Sequence, residues 1–319
     1  MLSFDSKIAL GTVCTLTVVS QSDSLDGVNL LSKLWQIIFQ FERQFSRFLP
    51  DSELSRFNRL AGSKVYISPM FEALLKKTQY FATLTNGLYN PFILPILSRI
   101  GYDHSLVPGY ENDYVDDYKL KQVVEASKLK IVNSQAQIPY GTAIDLGGCG
   151  KGFLLDHLAD FMKSQDDIKG YWFSLGGDII AYGVDDNNHP WEIAIQKSMP
   201  DYSEAEIGSI NLTLKHQTLA IATSGTIARK GIKDNIKWHH LIDPRINAPA
   251  RTDIDLATIV SDSAIFSDVM ASCLVLVGRS ESAKFIKHHH IANVLIQGYS
   301  KKGKFIYKVF GNRIKIGSK

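Results

Sequence analysis

The sequence predicts an α+β fold, and three observations carry that prediction. Helix-spaced apolar stripes and β-branched runs share the chain without strict alternation. Segments rich in glycine and other small residues follow one another in its middle, at 143–162, 171–183 and 219–226. Strand-like runs close the chain after a capped helix. The 319 residues, 45% of them apolar, suffice for one large domain or two modest lobes with a substantial core. No repeat, low-complexity tract or linker splits them, so residues 1–319 are expected to form a single domain.

Residues 8–20 are rich in Thr and Val and predict a strand. Leu30, Leu31, Leu34, Ile37, Ile38, Phe41 and Phe45 recur at helical spacing and predict an amphipathic helix of about six turns. Phe45 to Asn58 reads as a polar turn after that helix. Ser68 before Pro69 is a helix start, a hydroxyl cap followed by proline at the first helical position. The helix runs through Leu74, Leu75 and Tyr80 and is expected to stop near Asn86-Gly87. A polar, loop-rich connection follows at about 101–120. Residues 143–162 predict a short strand, a glycine loop and a helix, and residues 171–183 two strands around a Gly-Gly turn. Residues 219–226 read as a third small-residue turn, and 261–278 as a capped helix closed by Gly278. A strand at Ala292–Gln297 and a hairpin at Lys304–Val309 complete a sheet.

Charged residues make up 21% and aromatic residues 10%, the balance of a globular chain and not of a disordered one. A formal net charge of +3 over this length is a weak field, so nucleic acid is not an expected partner. Cys14, Cys149 and Cys273 are odd in number and widely spaced, which argues against a disulfide framework and against zinc. A reducing compartment fits them. The N-terminal run is interrupted by Ser, Thr and Gly and lacks a basic start, so it reads as a strand and not as a signal peptide. No stretch reaches the roughly 18–20 apolar residues of a membrane span. Those features together predict a cytoplasmic protein; a leader removed from a longer chain would reverse that expectation.

Several motifs carry chemistry. Gly147-Gly148-Cys149-Gly150-Lys151-Gly152 opens a helix, where glycines allow close approach and free N–H groups attract an anion. It is not a Walker A loop, since Gly152 follows Lys151, and a tight turn chosen for packing would use the same residues. Asp268 and Ser272 stand four apart on a helix, so both oxygens face one spot and suit a hard ion such as Mg²⁺. A solvated Asp and a locally bonded Ser would show the same spacing. His240, before Asp243-Pro244-Arg245, is placed to take a proton or steady a phosphate, or to serve structure alone. Thr223-Ser224-Gly225-Thr226 is a hydroxyl-rich turn of the kind that commonly only folds the chain. His288-His289-His290 lies on a lysine-rich segment without carboxylates and reads as exposed surface.

The order of these motifs resembles the ApbE family of FAD:protein FMN transferases. The resemblance runs from Leu10-Gly11-Thr12 through 51–58 and Asn86–Pro91 to DLGGCGKG (145–152). It continues with SLGGDIIAYG (174–183), TSGT (223–226), HLIDPR (240–245) and SDVMASCLVLVG (267–278). It implies an ApbE-like, T-fold-like α+β architecture with two lobes and FAD bound in the cleft between them. It also implies Mg²⁺ at the pyrophosphate, held by Asp268, Ser272 and the backbone carbonyl of Gly148. The matching flavin-nucleotide positions are Leu10, Phe48, Leu88, Tyr89, Asn90, Asp145, Lys151 and Ile242. His240 and Ser224 match polar positions near the reacting phosphate. Four residues depart from the family pattern: Asn90 for Asp, Ser272 for Thr, Gly150 for Ala, and Asn247 for a glycine after the DPR sequence. Each substitute keeps a workable group; Asn247, for instance, tolerates a left-handed turn.

The implied reaction is Mg²⁺-dependent phosphoryl chemistry. FAD is cut at its pyrophosphate, FMN passes to a Thr or Ser hydroxyl of an acceptor flavoprotein, and AMP leaves. Positioning and charge stabilisation dominate such catalysis. His240 is the first choice of proton acceptor and Asp268 the rival, with Ser224 orienting the nucleophile or a phosphate oxygen. Alternatives are an FAD pyrophosphatase releasing FMN and AMP, a non-catalytic flavin-binding protein, and an oxidoreductase that retains its flavin.

Overall fold

The computed structural model describes residues 1–22, 26–105, 123–198, 206–212 and 217–317. The polar segment expected near 101–120 falls, from residue 106 on, outside the described residues. The chain divides into two compact units. The first comprises Met1–Phe39, Lys151–Ala228 and Thr252–Lys319, and the second Gln40–Gly150 and Arg229–Arg251.

The first unit is built on an eight-stranded antiparallel sheet. Its strands are β1 (Leu2–Ala9), β2 (Thr12–Ser20), β3 (Ile168–Leu175), β4 (Asp178–Gly183), β5 (Thr218–Gly225), β6 (Leu256–Ser261), β7 (Asn293–Tyr299) and β8 (Phe305–Phe310). They lie side by side in chain order. The single strand expected at 8–20 is a hairpin, because Leu10 and Gly11 both adopt left-handed φ, 57° and 65°, and turn the chain in two residues. Gly176 and Gly177 make the corresponding turn between β3 and β4, as the Gly-Gly pair predicts. Along β5, Leu219, Ala220, Ile221 and Ala222 are buried consecutively, the mark of a strand covered on both faces. A three-stranded sheet of Trp191–Gln196, Glu206–Leu212 and Ile314–Ile316 supplies Ile193, Ile195, Ile210 and Ile314 to a core shared with Leu219 and Ile221.

Of the helices, α1 (Gly27–Phe45) follows the predicted stripe, burying Leu30, Leu31, Leu34, Ile38, Phe41 and Phe45, and is divided between the units after Phe39. The second unit holds α2 (Glu53–Arg59), α3 (Pro69–Leu84) and α4 (Leu94–Ile100). The last two helices are α5 (Gly150–Lys163) and α6 (Ala264–His288). The second unit also carries a three-stranded sheet (Val65–Tyr66, Gln135–Gln137, Lys130–Val132) and two hairpins, Lys230–Lys233 with Ile236–His239 and Ile242–Asp243 with Ala248–Pro249. Helix α6 packs along β5 and β6, and between Val269 and Leu276 every residue except Ser272 is buried, hence the apolar run of that stretch.

Four local expectations are corrected. The polar turn at 45–58 contains α2, capped by Ser52 and burying Leu54 and Phe57. The strand before the glycine loop does not form; the buried amide of Asn58 pairs with Ile144 instead, donating to its carbonyl and accepting from its N–H at 2.9 Å each. Thr223 to Gly225 end strand β5 and are not a turn, since they pair with Thr258, Ala257 and Leu256. The hairpin expected at Lys304–Val309 is a single strand, β8, which pairs with β7. Gly278, by contrast, closes the first helical stretch of α6 as expected: it leaves helical geometry at φ 74° and ψ 174°, Asp253 accepts the N–H of Arg279 at 2.9 Å, and a second helical stretch follows to His288. Ser68 does cap α3, accepting from Phe71 N at 3.2 Å, and the chain turns at Asn86-Gly87 with φ of 50° and 78°. No helix among the described residues is long and apolar enough to cross a membrane.

Candidate functional site

In the first unit the predicted residues converge on the start of α5. Glycine at 152 lets α6 approach closely: a Cβ there would lie 2.5 Å from Ile265 Cα and 2.6 Å from Ala264 O. At that approach the Gly152 N–H donates to Asp268 Oδ2 at 3.2 Å. The carboxylate is thus held at a helix N-terminus, where free N–H groups and the macrodipole favour negative charge, although Asp268 is buried. One turn further along α6, the Ser272 hydroxyl is 2.8 Å from that of Ser224 at the end of β5. Lys151 Nζ donates to the buried carboxylate of Asp178, whose other oxygen accepts the Thr223 N–H at 3.3 Å. Thr223 and Thr258 share a hydroxyl–hydroxyl bond of 2.8 Å across β5 and β6. Lys151, Ser224, Asp268 and Ser272 thus take part in three separate hydrogen-bonded groups, related through neighbouring residues of α5, β5 and α6. Leu10 is the first residue of the β1–β2 turn, half-buried and left-handed. Among the described residues no group of three or more His, Cys, Asp or Glu side chains is arranged to hold a metal.

The second unit holds the remaining predicted residues. Asp145 Oδ1 accepts the Gly147 N–H at 2.9 Å, and Oδ2 pairs with Arg47 Nε at 2.9 Å. The Arg47 guanidinium lies 4.2 Å from the Phe48 ring centre and 4.6 Å from that of Tyr102, and Nη2 donates to the Tyr102 carbonyl at 2.9 Å. Tyr102 stacks on Trp238 at 5.7 Å and meets the His240 ring edge-on at 6.4 Å. His240 is half-buried, its backbone N–H bonded to Arg229 O at 3.1 Å. Leu88 and Tyr89 are buried, and a Cβ on Gly148 would touch the Tyr89 ring at 3.4 Å. Burial, then the neighbouring Cys149, pushes the Tyr89 phenol well above its ordinary 10.0 and keeps it neutral. The Asn90 amide donates to Val124 O and accepts from Phe92 N, both at 2.9 Å. An aspartate could not make the first of these bonds. Ile242 is buried beside Trp238 and Ala143. Asp243 forms a bidentate pair with Arg245 at 2.8 and 2.7 Å, and Asn247 adopts the left-handed φ of 53° expected of it.

Residues that sequence reasoning passed over include Asp178, Asp156, Arg47, Tyr102 and Trp238. Asp178 sits inside the SLGGDIIAYG motif and Arg47 inside the segment from Phe45 to Asn58. Nothing in the spacing tells that Asp178 meets Lys151 or that Arg47 meets Asp145, because both contacts join distant segments.

The ApbE family model matches residues 10–296. A relative from Vibrio cholerae serotype O1, an FAD:protein FMN transferase, is 24% identical over 290 residues, covering 90% of this chain and 85% of its own. Another FAD:protein FMN transferase, from Treponema pallidum, is 24% identical over 304 residues, covering 88% of this chain and 80% of its own. The fold matches the apo crystal structure of the Pseudomonas stutzeri flavinyl transferase ApbE, with a TM-score of 0.80 and 20% identity over 97% of this chain and 95% of that one. It also matches the flavin transferase ApbE of Vibrio cholerae, with a TM-score of 0.78 and 24% identity over 97% of each chain. The ordered motifs, the fold and a family match over nearly the whole length lead to one conclusion: the chain belongs to the ApbE family.

Proposed function

We propose that this ApbE-family transferase is an Mg²⁺-dependent FAD:protein FMN transferase. It cuts FAD at its pyrophosphate, joins FMN through a phosphoester to a Thr or Ser hydroxyl of an acceptor flavoprotein, and releases AMP. The observation that carries the proposal is the oxygen set at the start of α5: the buried Asp268 carboxylate steadied by Gly152 N–H, with the Ser272–Ser224 hydroxyl pair one turn along. The relatives named above as FAD:protein FMN transferases support the same reading.

The donor set fits Mg²⁺. One carboxylate and one hydroxyl a turn apart are hard oxygen ligands, and Mg²⁺ keeps waters and substrate phosphates for the rest, so a three-carboxylate cluster is not required. Asp268, Ser272 and the Gly148 carbonyl would hold it, and once bound it would supply charge neutralisation at the diphosphate. The chain's own groups do the remainder. Lys151, held by Asp178, offers a cation beside a helix N-terminus where an anion is favoured. Ser224, fixed by Ser272, orients an oxygen of the nucleophile or the phosphate. His240 takes the proton of the acceptor hydroxyl. Phe48, Leu88, Tyr89, Asn90, Asp145, Leu10 and Ile242 shape the nucleotide site.

Mass spectrometry of a candidate acceptor flavoprotein after incubation with FAD, Mg²⁺ and this protein tests the proposal. The expected result is a gain of one FMN on a Ser or Thr, with AMP in solution. Release of FMN and AMP with no gain on any acceptor would replace transfer by hydrolysis. No turnover of FAD at all would end the enzymatic reading.

A further inference from the structure

Helices α5 and α6 cap each other. The Gly152 N–H of α5 donates to Asp268 of α6. One turn along α5, the Asp156 carboxylate accepts the first free N–H groups of α6, from Ala264 at 2.6 Å and from Ile265 at 3.1 Å. It also accepts the Ser263 hydroxyl at 2.9 Å. Ser263 is itself the N-cap of α6, accepting from Phe266 N at 3.3 Å. A helix start has four N–H groups without intrahelical partners, and here a side chain from a second helix takes two of them. The close approach depends on Gly152, where a Cβ would overlap the Ala264 and Ile265 backbone. Four residues separate Gly152 from Asp156 and four separate Ala264 from Asp268, so the two contacts sit about one turn apart on each helix. A pair of contacts spaced in this way fixes both the rotation and the axial register of α6 against α5, which a single contact cannot do.

We infer that Asp156 is a positioning residue for the Asp268–Ser272 ligand pair: it sets the register of α6 that presents both oxygens at the start of α5. Asp156 acts through the α6 backbone, whose Ala264 and Ile265 N–H groups it accepts. The inference rests on the proposed metal role of Asp268 and Ser272. Burial raises the Asp156 carboxyl above its ordinary 3.8 even against the pull of its three donors, a cost that an exposed residue would not carry.

The test measures Mn²⁺ affinity in the presence of FAD by loss of the free-ion EPR signal, alongside FMN transfer to an acceptor over a Mg²⁺ titration. The variants are Asp156→Asn, which keeps one acceptor oxygen, and Gly152→Ala, which pushes the helices apart without touching a carboxylate. Circular dichroism checks that each is folded. Both are expected to bind Mn²⁺ about 10-fold more weakly, as loss of an outer partner of a metal ligand does, and to need correspondingly more Mg²⁺ for half-maximal transfer. Their KM for the acceptor should not move. Folded variants with unchanged Mn²⁺ affinity and Mg²⁺ dependence would overturn the inference and leave Asp156 a plain helix cap. A native protein that transfers no FMN and binds no Mn²⁺ would instead overturn the function on which the inference rests.

Discussion

The start of α5 is held by backbone N–H groups bonded to carboxylates, whereas the corner around Arg47 is held by one guanidinium lying against rings. In the first region Gly152, Ala264 and Ile265 donate to Asp268 and Asp156, and the geometry is set by two helices that cannot turn independently. In the second, Arg47 binds Asp145 and the Tyr102 carbonyl while facing the rings of Phe48 and Tyr102, so four groups depend on one long side chain. The difference teaches where tolerance is expected. Backbone donors survive most substitutions and place ligands rigidly. A side-chain hub is lost entirely with its side chain.

Asp268→Ala removes the only carboxylate among the proposed ligands and should abolish Mg²⁺-dependent transfer; full activity in that variant would remove the metal assignment. His240→Ala should lower kcat by about 10²–10⁴-fold, the usual contribution of a positioned base, with a smaller effect on FAD binding. A loss confined to binding would show that His240 belongs with Tyr102 as part of the aromatic wall. Arg47→Ala leaves the Asp145 carboxylate buried without its cation, at a cost of about 3–5 kcal/mol in urea unfolding. KM for FAD should rise in parallel, and retention of native stability would show the hub to be replaceable. Asn90→Asp sets a carboxylate oxygen against the Val124 carbonyl in place of an N–H donor, and should cost about 1–3 kcal/mol in the same assay.

The smallest effect is in pH. The folded Asp156 carboxyl holds its proton above 3.8, so the native state binds more protons than the unfolded chain between 3.8 and its raised value. Its contribution therefore makes stability fall as pH rises through that window. His239 works at higher pH with the opposite sign. Burial lowers its pKa below 6.5, so the stability it contributes is present above 6.5 and is lost as pH falls towards the folded value. Urea midpoints against pH for Asp156→Asn and His239→Gln should each lose the corresponding slope. A native-like slope in either variant would assign it to another group.

What the sequence determined by itself was local. Hydroxyl caps, proline and glycine positions and apolar spacing located α1, α3, the β3–β4 turn and the closing strands, because those signals act within a few residues of chain. They also fixed the i, i+4 relation of Asp268 and Ser272, and the left-handed Asn247. The tertiary structure decided everything that depends on a partner far along the chain. Residues 143–146 could have been a strand until Asn58 occupied the hydrogen bonds of Ile144. Thr223 to Gly225 look like a turn by composition, yet neighbouring β6 makes them a strand end. Gly278 reads as a helix terminus and is one, but only the fold shows a second helical stretch running beyond it to His288, with Asp253 accepting the N–H of Arg279. The pairings of Lys151 with Asp178, Arg47 with Asp145 and Asp156 with α6 belong to the same class. A hydrogen bond is satisfied by whichever group arrives, and only the folded chain determines which one does.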